Sequence, residues 1–169
     1  MTRQGGDLLR RLTPRYGVVL AVAALDQASK AWALDRLFTP PAVIDLLPFL
    51  RFVPVWNDGV SFGLLGGSGA AVKILLTIFA LAVAAVLPFV ARDWDRLSVA
   101  GAVMMAGGAL GNGIDRVIHG RVVDFIDVFA GQYHWPAFNA ADACIVIGVG
   151  VYLVTCHPQS SNKSSPSSL

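Results

Sequence analysis

Four stretches of the chain are almost continuously apolar: Tyr16–Leu34, Ala70–Val90, Leu97–Ile114 and Ala141–Thr155. Each approaches the roughly 17–25 residues that a helix needs to cross a bilayer. The last is short, and Phe138, Asn139 and Asp142 are expected to extend it into the interface. Between the first two runs, VIDLLPFLRFVPVWNDGVSFGLLGG alternates and is rich in β-branched and aromatic residues. That pattern predicts short strands lying on the membrane surface. Between the last two runs, VFAGQYHWPAF carries Tyr133, Trp135 and Phe138, the aromatic content of an interfacial belt. After His157 the sequence PQSSNKSSPSSL is polar and Ser-rich, which predicts disorder. The expectation is an all-α membrane protein: four transmembrane helices in one domain (1–156), a β-rich outer loop, a second outer loop, and a disordered tail (157–169).

Composition agrees. Of 169 residues 55% are hydrophobic and 14% charged, where a soluble domain carries about a quarter charged residues. Mean hydropathy is +0.62. The segments flanking the runs on one side hold Arg3, Arg10, Arg11, Arg15, Arg92, Arg96 and Lys163; the two longer loops hold Arg36, Arg51, Lys73, Arg116 and Arg121. The excess places both termini in the cytoplasm. Ala21-Val22-Ala23 resembles a signal cleavage box, but only about five apolar residues precede it, short of the 7–15 required. The Arg10-Arg11 pair reads as a cytoplasmic anchor. A net charge of +2 gives no reason to expect a nucleic-acid partner, and a monomer is expected. Cys144 and Cys156 are twelve residues apart on the last run, about 18 Å along a helix, so they read as small apolar side chains.

The polar residues within the runs mark a site. Asp26 and Lys30 are four apart, on one helical face, and read first as an ion pair joining helices. In GGALGNGIDR, Gly107 and Gly111 form a small-xxx-small pattern that lets another helix approach. Gly108, Asn112 and Asp115 make one stripe, with Arg116 next in sequence. Asp124 sits in the apolar segment Val122–Ile126, and Asp142 opens the last run eighteen residues later. Asp127 reads as a solvated loop residue. Asn57 and Gly59 suit a tight turn.

Two carboxyls sharing a partly dehydrated site cannot both ionise comfortably, so they share one proton. One can then take a proton from water while the other polarises a carbonyl, the chemistry of aspartic peptidases. No metal or cofactor is needed, and the chain has no HExxH, P-loop or GxSxG motif. Transporters also place acids at membrane depth for proton transfer, and a scaffold is a third reading. The acids gather near one face, which favours the peptidase.

DQASK (Asp26–Lys30), NDGVSFGLL (Asn57–Leu65), GGALGNGIDR (Gly107–Arg116), VVDF (Val122–Phe125) and FNAADA (Phe138–Ala143) resemble, in order, the motifs of the lipoprotein signal peptidases, or signal peptidase II. The resemblance implies a bacterial inner-membrane aspartic peptidase. Its substrates are prolipoproteins, cut just before a cysteine that carries diacylglycerol, and its other partners are membrane lipids. It implies Asp124 and Asp142 as the catalytic dyad near the periplasmic face. Asn57, Asn112, Arg116 and Asn139 would line the substrate site, with Asp26, Lys30, Gly59, Phe62, Gly108 and Asp115 in support. It also implies that the first outer loop forms a small sheet cradling the substrate. Val60 and Ser61 stand where the family often has two alanines.

Overall fold

The computed structural model describes residues 2–59 and 69–155, with side chains from residue 6 onward. Phe62, Val60, Ser61, Cys156 and the Ser-rich tail lie outside the described residues. The elements run α1 (Thr2–Leu37), β1 (Ile44–Leu47), β2 (Leu50–Asn57), α2 (Gly69–Val90), a 3-10 turn (Ala91–Asp93), α3 (Arg96–His119), β3 (Val122–Ala130), β4 (Tyr133–His134) and α4 (Ala140–Thr155). Three helical stretches, Gly6–Leu37, Gly69–Asp93 and Arg96–His119, are long and apolar enough to cross a membrane. The fourth helix is apolar but has 16 residues, about 24 Å of rise. It is not lengthened by Phe138 and Asn139. Phe138 instead stays extended and exchanges backbone hydrogen bonds with Ile126 at 2.9 and 3.0 Å.

Helix α1 starts well before its apolar run, because Asp7-Leu8-Leu9-Arg10-Arg11-Leu12 is itself a helix-forming sequence. It continues through Pro14. Its 36 residues span about 54 Å, more than a hydrocarbon core of about 30 Å. Where α1 meets the end of α2, Arg15 donates to the carbonyls of Pro88 (3.3 Å) and Arg92 (3.0 Å). Large apolar side chains such as Leu25, Phe79 and Val154 point outward and are 66–73% exposed, as expected of surface that meets lipid.

Helix α3 is central, packed by α1, α2 and α4. It is capped by Asp95, whose side chain accepts from Leu97 N and Ser98 N, and by Gly120 at φ 69°. Small residues let its neighbours close in. A Cβ on Gly108 would collide with the Ala141 carbonyl of α4, and one on Gly111 with the Asp26 carboxylate of α1. The small-xxx-small pair Gly107 and Gly111 therefore faces α1, while Gly108 faces α4.

The fold is helical as expected, with more strand in its loops than the sequence reveals. The strands expected of the first loop are present as β1 and β2. The second loop adds β3 and β4, giving one antiparallel sheet in the order β1-β2-β3-β4. Val122-Val123-Asp124-Phe125 is buried throughout, so it shows no inside-outside alternation to reveal a strand. Leu37, Val123 and Phe125, with Phe52 and Trp56 beside them, weld the sheet to the end of α1.

Candidate active site

The site stands where the sheet meets the start of α4 and the end of α3. Its base is a buried charge cluster. Lys30 Nζ lies 2.8 Å from Asp26 and 3.0 Å from Asp115. It also donates to Asn112 Oδ1 at 2.8 Å. The ammonium has three hydrogens, and each has a partner. Asp26 also accepts from Ala141 N at 2.9 Å, and Asp115 from Val123 N at 3.0 Å. The i, i+4 pair expected on α1 is thus one corner of a cluster that ties α1 to α3, β3 and α4. Among the described residues no buried side-chain polar atom lacks a partner.

Above this cluster, three asparagines hold two aspartates. Asn112 Nδ2 donates to Asp142 Oδ1 at 2.7 Å. Asn57 Nδ2 donates to Asp124 Oδ2 at 2.9 Å. Asn139 serves both acids: its Nδ2 donates to Asp124 Oδ1 at 2.6 Å, and its backbone N–H to Asp142 Oδ2 at 3.2 Å. Asn139 Oδ1 in turn accepts from Asp142 N at 3.0 Å. Asn139 and Asp142 are therefore the N-cap and N3 residues of a reciprocal capping box, the N-x-x-D signal that opens α4. Asn57 is itself held by an Asx turn, with Gly59 N donating to its Oδ1 at 2.8 Å. Gly59 sits at φ 72°, where a side chain would be strained.

Asp124 is 1% exposed. Its pKa is raised to about 6: burial is the main cause and the nearby Asp142 charge adds to it, against the lowering hydrogen bonds from Asn57 and Asn139. Arg116, half-buried, donates to the Asn112 carbonyl one turn back at 3.3 Å. Two cavities reach the acids. An open groove of about 850 Å³ runs between α2, α3 and α4 from Val90 and Trp94 up to Asn112, Arg116 and Asp142. A smaller one of about 310 Å³ lies against Asp124, Asn57, Asp58 and Trp56. No group of three His, Cys, Asp or Glu placed to hold a metal occurs among the described residues.

The residues singled out from sequence thus fall into layers. Asp124, Asp142, Asn57, Asn112 and Asn139 are joined by direct hydrogen bonds. Arg116 flanks them, Asp26, Lys30 and Asp115 lie beneath, and Gly59 and Gly108 permit close approaches. Asp127 is a correction. It is 5% exposed, because the β2–β3 register sets it opposite Arg51, whose Nε donates to it at 2.7 Å. His134 Nδ1 lies 3.0 Å away. Burial would raise the Asp127 pKa, but His134 and Arg51 together hold it below the ordinary value. Gln27 was missed: it donates to Asp115 at 2.8 Å and to the Gly111 carbonyl at 3.1 Å. Its place beside Asp26 in the charged cluster was the available signal.

The sequence profile of signal peptidase (SPase) II matches residues 18–157. A lipoprotein signal peptidase of Methylorubrum extorquens (strain PA1) is 43% identical over 85% of this chain and 87% of its own. One from Rhodopseudomonas palustris (strain ATCC BAA-98 / CGA009) is 38% identical over 84% of this chain and 92% of its own. Among solved structures, a bacterial membrane enzyme determined in meso at 2.3 Å superposes with a TM-score of 0.71 at 26% identity. That superposition covers 93% of this chain and 94% of the other.

Proposed function

The chain belongs to the signal peptidase II family, a family of bacterial membrane peptidases, and on that footing we propose that it cleaves prolipoproteins with Asp124 and Asp142 as an aspartate dyad. One carboxylate removes a proton from water as its oxygen attacks the scissile carbonyl, and the other donates a proton to the carbonyl oxygen. As the tetrahedral intermediate collapses and the C–N bond breaks, the carboxyl that took the water's proton gives it to the leaving nitrogen, and the carbonyl oxygen returns its proton to the other carboxylate. The observation that carries this reading is Asn139, which hydrogen-bonds both carboxyls at once. Burial that raises Asp124 to about 6 lets it keep a proton to a higher pH than an ordinary carboxyl does.

The apolar groove ending at Asp142 suits lipid-embedded substrate, here a signal peptide whose next residue is a diacylglyceryl cysteine. Arg116 and Asn112 at its head are placed to meet the peptide carbonyls. The four helices cross the inner membrane with both termini cytoplasmic. Helix α4 is the fourth span, its N-terminus and the sheet lying at the periplasmic interface, where Tyr133 and Trp135 are 86% and 69% exposed. The test uses purified full-length protein and a lipid-modified model prolipoprotein. Asp124→Asn and Asp142→Asn are each expected to fold and to abolish cleavage; normal processing by either refutes the dyad.

A further inference from the structure

Each asparagine around the two acids has its oxygen claimed by a donor. Gly59 N holds Asn57 Oδ1 at 2.8 Å, and Asp142 N holds Asn139 Oδ1 at 3.0 Å. Lys30 Nζ holds Asn112 Oδ1 at 2.8 Å, joined by Asn139 Nδ2 at 3.2 Å. With its oxygen engaged, an amide can offer only its NH2 to the other side. Two of the pinning groups are backbone N–H. Lys30 is a side chain, 1% exposed, with its other hydrogens directed to Asp26 and Asp115. Flipping Asn112 would press its NH2 against the ammonium and its oxygen against a carboxylate.

We propose that Lys30 is a positioning residue: by holding Asn112 Oδ1 it turns that amide's NH2 onto Asp142, which makes Asp142 the base and leaves the dyad's proton on Asp124. The assignment rests on the peptidase reading above. Asp142 receives Asn112 Nδ2 at 2.7 Å and Asn139 N at 3.2 Å. It does so in the first turn of α4, where the helix dipole also favours an anion. Asp124 receives two side-chain donors as well but lies on a strand, 1% exposed, with no such dipole. Of two acids sharing one proton, the one at the helix terminus holds the negative charge. Asp142 then takes the proton from water, and Asp124 gives its own to the substrate carbonyl. The charged groups around the pair are Asp115 and Arg116 on α3 and, one amide away, Lys30 and Asp26 on α1. Lys73 of α2 pairs with Asp58 beyond β2 at 2.5 Å.

Two measurements decide it. Infrared spectra of the solubilised full chain, carrying isotope-labelled aspartate, are compared near pH 5 for the wild type, Asp124→Asn and Asp142→Asn. The protonated-carboxyl band should vanish in Asp124→Asn and remain in Asp142→Asn; a band that survives Asp124→Asn and is lost in Asp142→Asn overturns the assignment. This needs no Lys30 variant and no turnover, so it fails independently of the peptidase reading. The second is the pH profile of kcat/KM for Lys30→Met and for the charge-matched Lys30→Met/Asp115→Asn. Losing a hydrogen bond to the ionised base should move the acidic limb up by about one pH unit. An equal fall at every pH, with the limb unmoved, would make Lys30 purely structural and refute the positioning role.

Discussion

Asn139 does two separable jobs, and two substitutions pull them apart. Its oxygen caps α4 through Asp142 N at 3.0 Å, and its NH2 serves Asp124 at 2.6 Å. Serine at this position keeps an N-cap oxygen but has no amide to reach Asp124; alanine has neither. Ser is about as good a cap as Asn, and replacing such a cap by Ala costs about 1 kcal/mol. Asn139→Ala should therefore be less stable than Asn139→Ser by roughly that amount, both lying below the wild type because each leaves a small void. A lost hydrogen bond to a charged or proton-sharing group is worth about 1.5–3 kcal/mol, so both variants should lose roughly 10- to 150-fold in kcat/KM. Thermal unfolding in detergent reads the first quantity, and gel-shift cleavage of a lipid-modified prolipoprotein reads the second. If Asn139→Ser cleaves at the wild-type rate, or if the two variants differ in activity as much as in stability, the division of labour is wrong.

Asp124 predicts a pH dependence of stability whose sign is fixed. Its pKa is about 6 in the fold against 3.8 ordinarily, so the folded state binds the extra proton between these values. The associated stability is complete below about pH 4 and is lost as pH rises through about 6, an effect on the order of 2–3 kcal/mol. Unfolding measured against pH should show that this decline is absent from Asp124→Asn; an unchanged slope would count against it. Gly108→Ala should destabilise the fold by about 1–3 kcal/mol and also lower activity, because its Cβ strikes the Ala141 carbonyl and comes within 2.9 Å of Ile145 Cγ1, displacing the turn that carries Asp142. Gly17→Ala, with nothing within 4 Å, is the control, and equal melting temperatures for the two would refute this reading.

The helices were legible because each is written as one long apolar run. The Asp26–Lys30 contact was legible because four residues make one turn. The two acids and the three asparagines that hold them could be named through the family motifs, but not their connections. Asn139 reaches Asp142 three residues on and Asp124 fifteen residues back, and nothing in local spacing says that a single amide serves both. Strand β3 was hidden because its first half is covered on both faces and so does not alternate. Asp127 looked solvated because its partners, Arg51 and His134, come from other strands. The early start of α1 was masked by Pro14 and by charges, which mark the end of an apolar run without ending a helix.

The two acids open onto different surroundings. Asp142 stands at the head of the oily furrow between the helices, whereas Asp124 borders the small polar recess beside Trp56 and Asp58. If the two acids are the proposed dyad, a greasy compound dissolved in the bilayer would meet it at Asp142 and a hydrophilic one at Asp124, through separate doorways.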